Sequence, residues 1–267
     1  MKIEWDALPY FVRNRPSPVC GILFPVLRSP HSILIAIEGI DGAGKTTQAN
    51  LLRMTLQTAG LDVVASREPT RGKHGQRIRE SAYTGRLSLN DELQAFVDDR
   101  REHVETLIGP ALTAGKVVIL DRYYYSTLAY QGSRGADINH VRAIMEEFAP
   151  VPDVVYLIDT KPEVGLHRIS HSRRDTPNQF ETLSNLTAVS AVFNALPDKN
   201  IVKIDGGMSA AAVHRAIMDS FIEGALKKAY CFKSYGCDDQ FYCTARILRH
   251  CDWIKLQSVV SGSIAAV

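Results

Sequence analysis

The chain has 267 residues, which is enough for one well-packed α/β domain with tails. Its 31 Lys and Arg residues nearly balance its 29 Asp and Glu residues, so net charge does not favour nucleic acid or an anionic membrane as a partner. We therefore predict that the protein acts on a small molecule.

Residues 1–31 contain several prolines and show neither helical nor strand periodicity, so we predict an N-terminal extension with little structure of its own. Its longest apolar stretch, residues 19–27, includes Pro25 and is too short to span a bilayer. Glu4, Asp6 and the prolines also argue against a signal peptide. These features predict a cytoplasmic protein that does not bind a membrane.

From residue 32 apolar strands alternate with amphipathic helices, which is typical of a parallel sheet with helices on both faces. We predict one domain over residues 32–224. The predicted strands are 31–37, 62–66, 117–121, 154–159 and 200–204, and the predicted helices are 46–59, 73–84, 90–114, 137–149, 162–170, 179–195 and 209–226. Because ligands bind at the carboxyl ends of the strands in such folds, motifs located there are candidates for the functional site.

Residues 39–46 read Gly-Ile-Asp-Gly-Ala-Gly-Lys-Thr and match the phosphate-binding loop pattern G-x-x-x-x-G-K-[ST] at every fixed position. In such a loop backbone N–H groups surround the α- and β-phosphates of a nucleoside triphosphate, Lys45 reaches the β- and γ-phosphates, and Thr46 coordinates Mg²⁺. An apolar strand precedes the loop and a helix follows it, which is the context that the motif requires. The chain is therefore predicted to bind a nucleoside triphosphate.

Charged residues follow the second and third predicted strands. Arg67 and Arg71 stand just after the second strand, and Asp121 ends the third, where its carboxylate could hold Mg²⁺ through water. Arg122 follows directly, and its guanidinium suits the oxygens of an acceptor phosphate. The alternative is that Asp121 and Arg122 form a purely structural ion pair.

A predicted helix carries Phe96 and Arg100 four residues apart, so the two side chains share a face. A ring that stacks on a base beside a guanidinium that bonds its edge would form a base-reading pair. Spacing alone favours the ordinary interpretation, in which Phe96 belongs to the core and Arg100 is a surface charge. Residues 126–132 follow the third strand closely enough to line the same pocket with hydroxyl and amide groups, among them those of Thr127 and Gln131.

Residues 168–181 form a polar, basic connection between two predicted helices after the fourth strand. We predict a short lid whose closure would bring Arg168, Arg173 and Arg174 over the phosphates and exclude water. The alternative is a solvated, charged surface.

Residues 225–267 differ in character from the rest of the chain, because they hold four of its five cysteines among several aromatic residues. The cysteine spacings lack the close C-x₂₋₄-C pair that usually opens a zinc site. We therefore predict a C-terminal extension of unknown role, with a zinc or partner-binding module as the alternative. The odd cysteine number and the lack of cysteine in residues 32–224 favour a reducing compartment.

Five motifs, in one order along the chain, resemble the thymidylate kinase family of nucleoside monophosphate kinases. They are Glu38-Gly-Ile-Asp-Gly-Ala-Gly-Lys-Thr-Thr47, Arg67-Glu-Pro-Thr70, Phe96-Val-Asp-Asp-Arg100, Asp121-Arg-Tyr123 and Ser126-Thr-Leu-Ala-Tyr-Gln131. The resemblance covers about residues 33–205. It implies a three-layer P-loop NTPase fold with a five-stranded parallel sheet and a short lid, transfer of the γ-phosphoryl group of ATP to dTMP with Mg²⁺, and a homodimer.

The resemblance implies an acceptor site in which Phe96 stacks on thymine and Arg100 bonds its O4, which reverses the ordinary interpretation of this pair. Asp41 would bond the 3′-hydroxyl of the sugar, and Tyr130 would crowd the position of a ribose 2′-hydroxyl. The implied dTMP-binding residues are Asp41, Arg67, Arg71, Phe96, Arg100, Arg122, Thr127, Tyr130 and Gln131.

The resemblance also implies a donor site. Its ATP-binding residues would be Gly39, Asp41, Gly42, Ala43, Gly44, Lys45, Thr46, Thr47 and Arg168, with Mg²⁺ held by Thr46 and Asp121. The implied catalytic residues are Lys45, Asp41, Arg122 and an arginine of the lid. Ala43 occupies the position where some family members carry a loop arginine, so Arg173 or Arg174 becomes the candidate, and the choice between them is open.

One departure from the family pattern concerns the acceptor. Asp98 stands two residues before Arg100, where the family usually has a small residue, and a carboxylate near the base pocket could change the preferred base. Two alternatives therefore accompany the thymidylate kinase hypothesis. The first is a kinase for another deoxynucleoside monophosphate, and the second is a nucleotide-binding protein without catalytic activity.

Overall fold

The computed structural model describes residues 28–29, 31–172, 181–232 and 236–237. Within these residues the central strands are β1 Ile33–Glu38, β2 Val63–Arg67, β3 Val117–Asp121, β4 Val154–Asp159 and β5 Ile201–Asp205. They form one sheet in the order β2-β3-β1-β4-β5, and every neighbouring pair is parallel. The predicted five-stranded parallel sheet and the α/β class are confirmed.

Helices connect the strands. They are α1 Lys45–Thr58, α2 Lys73–Thr84, α3 Leu89–His103, α4 Gly109–Thr113, α5 Tyr124–Gly132, α6 Ile138–Glu146, α7 Pro162–Ser172, α8 Leu183–Ala195, α9 Ala210–Phe221 and α10 Lys227–Tyr230. Single π-helical turns, Val104–Ile108 and Ile222–Leu226, join α3 to α4 and α9 to α10. After α10 two short strands, β6 Cys231–Phe232 and β7 Gly236–Cys237, pair in antiparallel fashion. Among the described helices none is long and apolar enough to cross a membrane.

The strand register positions the functional site. β1 and β3 lie in the middle of the sheet and are buried along their whole length, which explains their continuous apolar sequences. Asp121 at the end of β3 is level with Ile37 of β1 and with Arg67 of β2. The residues that follow these three strands therefore meet at one edge of the sheet.

Most predicted elements match the structure, with two informative differences. The helix predicted over 90–114 consists of α3, a π-helical turn and α4. The sequence does not predict helix α5, because the residue at its N-cap, Tyr123, makes no side-chain capping hydrogen bond. Its first turn is capped from β1, where the carboxylate of Glu38 accepts hydrogen bonds from the backbone N–H groups of Tyr123 (2.7 Å) and Ser126 (3.1 Å).

The proposed domain boundaries of 31/32 and 224/225 remain predictions. At the first, the backbone N–H of Ser29 donates to the carbonyl of Leu112 (3.1 Å), and Arg28 forms an ion pair with Asp153. At the second, helical structure continues past residue 224, and Leu226 is fully buried in the core. Contacts with the domain thus begin before and continue beyond the predicted limits.

Candidate active site

The phosphate-binding loop between β1 and α1 depends on glycine for conformation and for space. Gly42 and Gly44 adopt φ values of 77° and 97°, in the left-handed region that side chains disfavour. A Cβ atom on Gly42 would lie 2.2 Å from the carbonyl oxygen of Gly165, and one on Gly165 would lie 2.6 Å from the carbonyl oxygen of Asp41. The loop therefore packs directly, backbone on backbone, against helix α7.

Lys45 lies at the start of α1 with its side chain buried. Its Nζ donates to the carbonyl oxygen of Ile40 within the loop (2.7 Å). Burial, reinforced by the nearby Arg122 cation, lowers the pKa of Lys45 to about 8. The loop thus holds a lysine ammonium in contact with its own backbone, where phosphate oxygens would be bound.

Thr46 and Asp121 supply a pair of oxygen ligands at the end of the loop. The Thr46 hydroxyl donates to a carboxylate oxygen of Asp121 over 2.6 Å. Mg²⁺ is bound through one or two carboxylates together with phosphate oxygens and water, so this hydroxyl and carboxylate suit it chemically. The two residues predicted to hold Mg²⁺ are therefore adjacent, and their role as metal ligands remains a prediction.

Arg122, Asp41 and Tyr130 form a polar cluster beside the loop. Arg122 has a φ of 72°, unusual for a residue with a side chain, and its Nη2 donates to the Asp41 carboxylate. The Tyr130 hydroxyl donates to the other oxygen of that carboxylate over 2.6 Å. Burial opposes the charge on Arg122, but Asp41, Tyr130 and Asp121 together outweigh burial and raise the pKa of the guanidinium. Burial and Asp41 likewise raise the pKa of Tyr130. Arg122 therefore stays cationic and Tyr130 stays neutral.

Two cavities meet at this cluster. The first, about 260 Å³, is lined by residues that include the predicted acceptor-binding residues Phe96, Arg100 and Thr127, and we name it the acceptor cavity after that prediction. The second, about 280 Å³, is lined by the loop residues and by Lys45, Asp121 and Arg168, and we name it the donor cavity after the predicted ATP site. The lining residues that belong to both cavities are Asp41, Arg67 and Arg122. Two molecules bound in the two cavities would thus approach each other at these three side chains.

Arg100 is a buried residue with a defined set of partners. Its Nε and Nη2 donate to one carboxylate oxygen of Glu68 over 2.9 and 2.5 Å, and Nη2 also lies 3.1 Å from the Thr127 hydroxyl. The ordinary interpretation of Arg100 as a surface charge is therefore wrong. Phe96 is half-buried, packs against the core and also lines the acceptor cavity, so both members of the predicted base-reading pair reach one cavity.

Glu68 and His103 are functional candidates that sequence reasoning did not assign. His103 Nδ1 lies 2.9 Å from the second carboxylate oxygen of Glu68, and its Nε2 lies 2.8 Å from the Ser66 hydroxyl. Burial opposes ionisation of Glu68, but Arg100 and His103 outweigh it and lower the pKa of this carboxyl. Glu68 belongs to the Arg67-Glu-Pro-Thr70 motif, so the sequence could have suggested it as a site residue. His103 is a single histidine on α3 and belongs to no motif that would have suggested a function.

Gln131 and Asp98 lie away from the acceptor cavity. Gln131 is fully buried and donates to Glu92 over 3.0 Å, and it is Glu92 that lines the cavity. Asp98 accepts a hydrogen bond from Gln94 on the same helix (2.9 Å) and is not part of the cavity lining. Of the two neighbouring aspartates, Asp98 and Asp99, only Asp99 is buried. The carboxylate expected near the base pocket is thus directed elsewhere.

The remaining predicted cations occupy different places. Arg168 on α7 donates to the carbonyl oxygens of Gly206 (3.0 Å) and Gly42 (3.5 Å), so it links the helix to the loop. Arg71 is exposed and lines a neighbouring space of about 390 Å³ together with Arg67 and Asp121. The predicted lid residues Arg173 and Arg174 lie outside the described residues.

Sequence comparison with known proteins identifies the family to which the chain belongs. Residues 37–217 match the family model described as "Thymidylate kinase". The chain belongs to the thymidylate kinase family. Proteins named thymidylate kinase from Xanthomonas campestris pv. campestris strain B100 and Xanthomonas oryzae pv. oryzae strain PXO99A are 51% identical over 189 residues and 50% identical over 188 residues. Each alignment covers 70% of this chain, and 82% and 81% of the respective relatives.

A more distant relative gives the same result. A thymidylate kinase of Akkermansia muciniphila is 47% identical over 192 residues, which are 70% of this chain and 92% of that protein. The part of the chain that matches the thymidylate kinase family model extends from the end of β1 into α9. All residues described above as lining the acceptor and donor cavities fall within it. The family resemblance inferred from the five motifs is confirmed.

Proposed function

We infer that the protein is a nucleoside monophosphate kinase that transfers the γ-phosphoryl group of ATP to dTMP, giving ADP and dTDP. The observation that carries this proposal is the meeting of the acceptor and donor cavities at Asp41, Arg67 and Arg122. A phosphoryl group that passes between two nucleotides needs such a shared boundary with cations on it. The names of the relatives support thymidylate as the acceptor.

Catalysis would depend on position and charge. ATP phosphates would bind the loop backbone, including Gly39, Ala43 and Thr47, and Lys45, while Arg122 and Arg67, helped by Arg71, would hold the acceptor phosphate. The acceptor phosphate is already a nucleophile, so direct in-line transfer needs no strong general base. Glu68 is unsuited to that role, because Arg100 and His103 engage its carboxylate. Alignment of the two phosphates and neutralisation of their charge would supply the rate acceleration.

Thr46 and Asp121 would hold Mg²⁺. A metal ion held there would supply positive charge that offsets the charge of the phosphates. The hydrogen bond between the two side chains shows that they already lie next to each other beside Lys45.

Selection of the acceptor would come from the cavity walls. Phe96 would stack on thymine, and Arg100 and Thr127 would bond the base edge, with Gln131 behind them supporting Glu92. Asp41 would bond the sugar 3′-hydroxyl, and Tyr130 would leave no space for a ribose 2′-hydroxyl. The position of Asp98 on the outer side of α3 favours dTMP over the alternative in which Asp98 changes the base.

Further properties follow from the family and remain proposals. Arg173 or Arg174 would supply a catalytic cation from the lid, and Arg168 would contact ATP. The protein would act as a homodimer in the cytoplasm. Residues 1–31 and 225–267 would be extensions of a kinase domain formed by residues 32–224.

The decisive experiment is a coupled ADP-release assay with dTMP, dGMP, dAMP and dCMP as acceptors. The proposal expects the highest kcat/KM for dTMP. Faster turnover of any other acceptor would show that this nucleotide, and not dTMP, is the preferred substrate. The variant Lys45→Ala should lose transfer while its circular dichroism spectrum remains unchanged. Absence of ADP release with all four acceptors in the unmodified protein would favour the non-catalytic alternative.

A further inference from the structure

Two histidines lie side by side on helix α7, on the side of the helix that faces solvent. His167 and His171 are four residues apart, so they occupy neighbouring positions on one helical face, and both are exposed. Their ring centroids are 3.8 Å apart, and the ring planes differ by 35°. Paired histidines with this spacing on a helix are a recurrent arrangement for binding a metal ion.

The hydrogen bonding of His171 determines which of its nitrogens is available. Its Nδ1 lies 2.9 Å from the carbonyl oxygen of His167. A carbonyl oxygen only accepts, so Nδ1 carries the proton of this bond, and in the neutral ring Nε2 is the nitrogen with a lone pair for a metal ion. Metal-binding histidines usually donate their second N–H to a carbonyl or carboxylate in this way, which fixes the tautomer and the ring orientation. The contact of His171 Nδ1 with this carbonyl thus matches the second hydrogen bond that a metal-binding histidine makes.

The pair is separate from the catalytic residues although it shares their helix. Gly165 packs against the phosphate-binding loop at Asp41, and Arg168 bonds the loop at Gly42. The exposed rings of His167 and His171 line neither the acceptor nor the donor cavity. The two imidazole rings are thus distinct from the side chains that line the two cavities.

We propose that His167 and His171 form a binding site for a divalent transition-metal ion, with Zn²⁺, Ni²⁺ and Cu²⁺ as the suitable ions and water completing the coordination. Imidazole nitrogen suits these ions, whereas Mg²⁺ requires oxygen ligands. The helix holds the second ring next to the first, so the second ligand acts at high effective concentration. The described residues contain no group of three or more His, Cys, Asp and Glu side chains suited to a metal, so two protein ligands define this site.

The first test is calorimetric titration of the full-length protein with NiCl₂ in excess Mg²⁺. The proposal expects one site that is weakened on the order of a hundredfold in His171→Ala and lost in the double variant His167→Ala, His171→Ala. His140→Ala is the matched control, because His140 is a single exposed histidine on another helix. Any Ni²⁺ bound by other groups is common to all variants, so the comparison isolates the one site that the two histidines form. Equal affinity and stoichiometry in the unmodified protein and the double variant would overturn the proposal.

The second test identifies the ligands. Electron paramagnetic resonance of the bound Cu²⁺ should show coupling to two imidazole nitrogens in the unmodified protein and to one in His171→Ala. Coupling that is identical in both proteins would overturn the assignment. The thermal midpoint should rise with added Ni²⁺ in the unmodified protein and rise less in the double variant. Both tests measure metal binding and not kinase activity, so their outcome is independent of the proposed function.

Discussion

Glu38 and Ser126, which are 88 residues apart in the sequence, are joined by two hydrogen bonds. The Ser126 backbone N–H donates to one carboxylate oxygen over 3.1 Å, and its hydroxyl donates to the other over 2.5 Å. The Tyr123 N–H donates to the same carboxylate. Glu38 therefore caps α5 from the end of β1, and α5 carries Thr127 and Tyr130 to the acceptor cavity.

Removal of this cap should weaken both folding and acceptor binding. Glu38→Ala leaves buried N–H groups without acceptors, so we expect a loss of roughly 1–3 kcal/mol in the free energy of unfolding and a higher KM for dTMP. Glu38→Gln keeps a carbonyl oxygen for the N–H groups and an amide for the hydroxyl, so its loss should be smaller. Urea unfolding and steady-state kinetics measure both effects. Equal losses in the two variants would show that the capping contacts are unimportant.

Glu38 should also make stability depend on pH. Burial raises its pKa from 4.5 to about 7, so between these values the folded protein holds a proton that the unfolded chain has released. This contribution is complete below about pH 4.5 and is lost as the pH rises through 7. Relative to Glu38→Gln, the unmodified protein should lose up to about 3 kcal/mol of stability across this range. A pH-independent difference between the two proteins in urea unfolding would contradict the expectation.

His103 should position Arg100 through the carboxylate that both residues share. We expect His103→Ala to raise the KM for dTMP about tenfold, which corresponds to one hydrogen bond of about 1.4 kcal/mol, with little change in kcat. His103→Asn retains a donor near Nδ1 and should recover part of the loss. A purely structural role would lower stability and leave the KM for dTMP unchanged, so the two parameters must be measured together.

Glu68 and Arg100 should depend on each other energetically. Glu68→Ala leaves a buried guanidinium without its carboxylate, so we expect a loss of about 3–5 kcal/mol. The double variant Glu68→Ala, Arg100→Ala should be less destabilised than the sum of its single variants. A double-mutant cycle from urea unfolding measures the coupling free energy between Glu68 and Arg100. Additive losses of stability would show that the two residues are not coupled.

Asp121 should matter for the metal requirement rather than for the fold. Asp121→Asn keeps the size of the side chain and an oxygen near Thr46 but removes the charge. We expect kcat to fall by roughly a hundredfold or more, with half-saturation at a higher Mg²⁺ concentration. Titration of activity with MgCl₂ gives both values. An unchanged Mg²⁺ dependence would show that Asp121 does not help to bind Mg²⁺.

Gly165→Ala tests the contact between α7 and the phosphate-binding loop. Alanine normally favours a helix, but here its Cβ would lie 2.6 Å from the Asp41 carbonyl oxygen and would displace the loop. We expect kcat/KM for ATP to fall on the order of a hundredfold. Gly224→Ala is the control, because apart from its own helical backbone and chain neighbours no atom lies within 4 Å of a Cβ at that position. Similar kinetics in the two variants would show that the loop tolerates the displacement.

The sequence was sufficient for the parts of the protein that depend on local chemistry. The alternation of strands and helices predicts the parallel sheet, and residues 39–46 predict a phosphate-binding loop, because glycine conformation and lysine charge act within a few residues. The five motifs, in their order along the chain, also indicate the thymidylate kinase family. α5 was missed because the acceptor that caps it belongs to β1, so no neighbouring residue signals its start.

Other features depend on how distant segments pack. Spacing alone could not show that Asp98 faces Gln94 while Arg100, two residues later, is buried on Glu68, because the rotation of α3 relative to the sheet is set by its packing partners. The boundary between the two cavities likewise depends on contacts of Asp41 with Arg122 and Tyr130, 81 and 89 residues away. Sequence established which chemical groups the chain carries, and packing of the strands at a common edge established which of them meet.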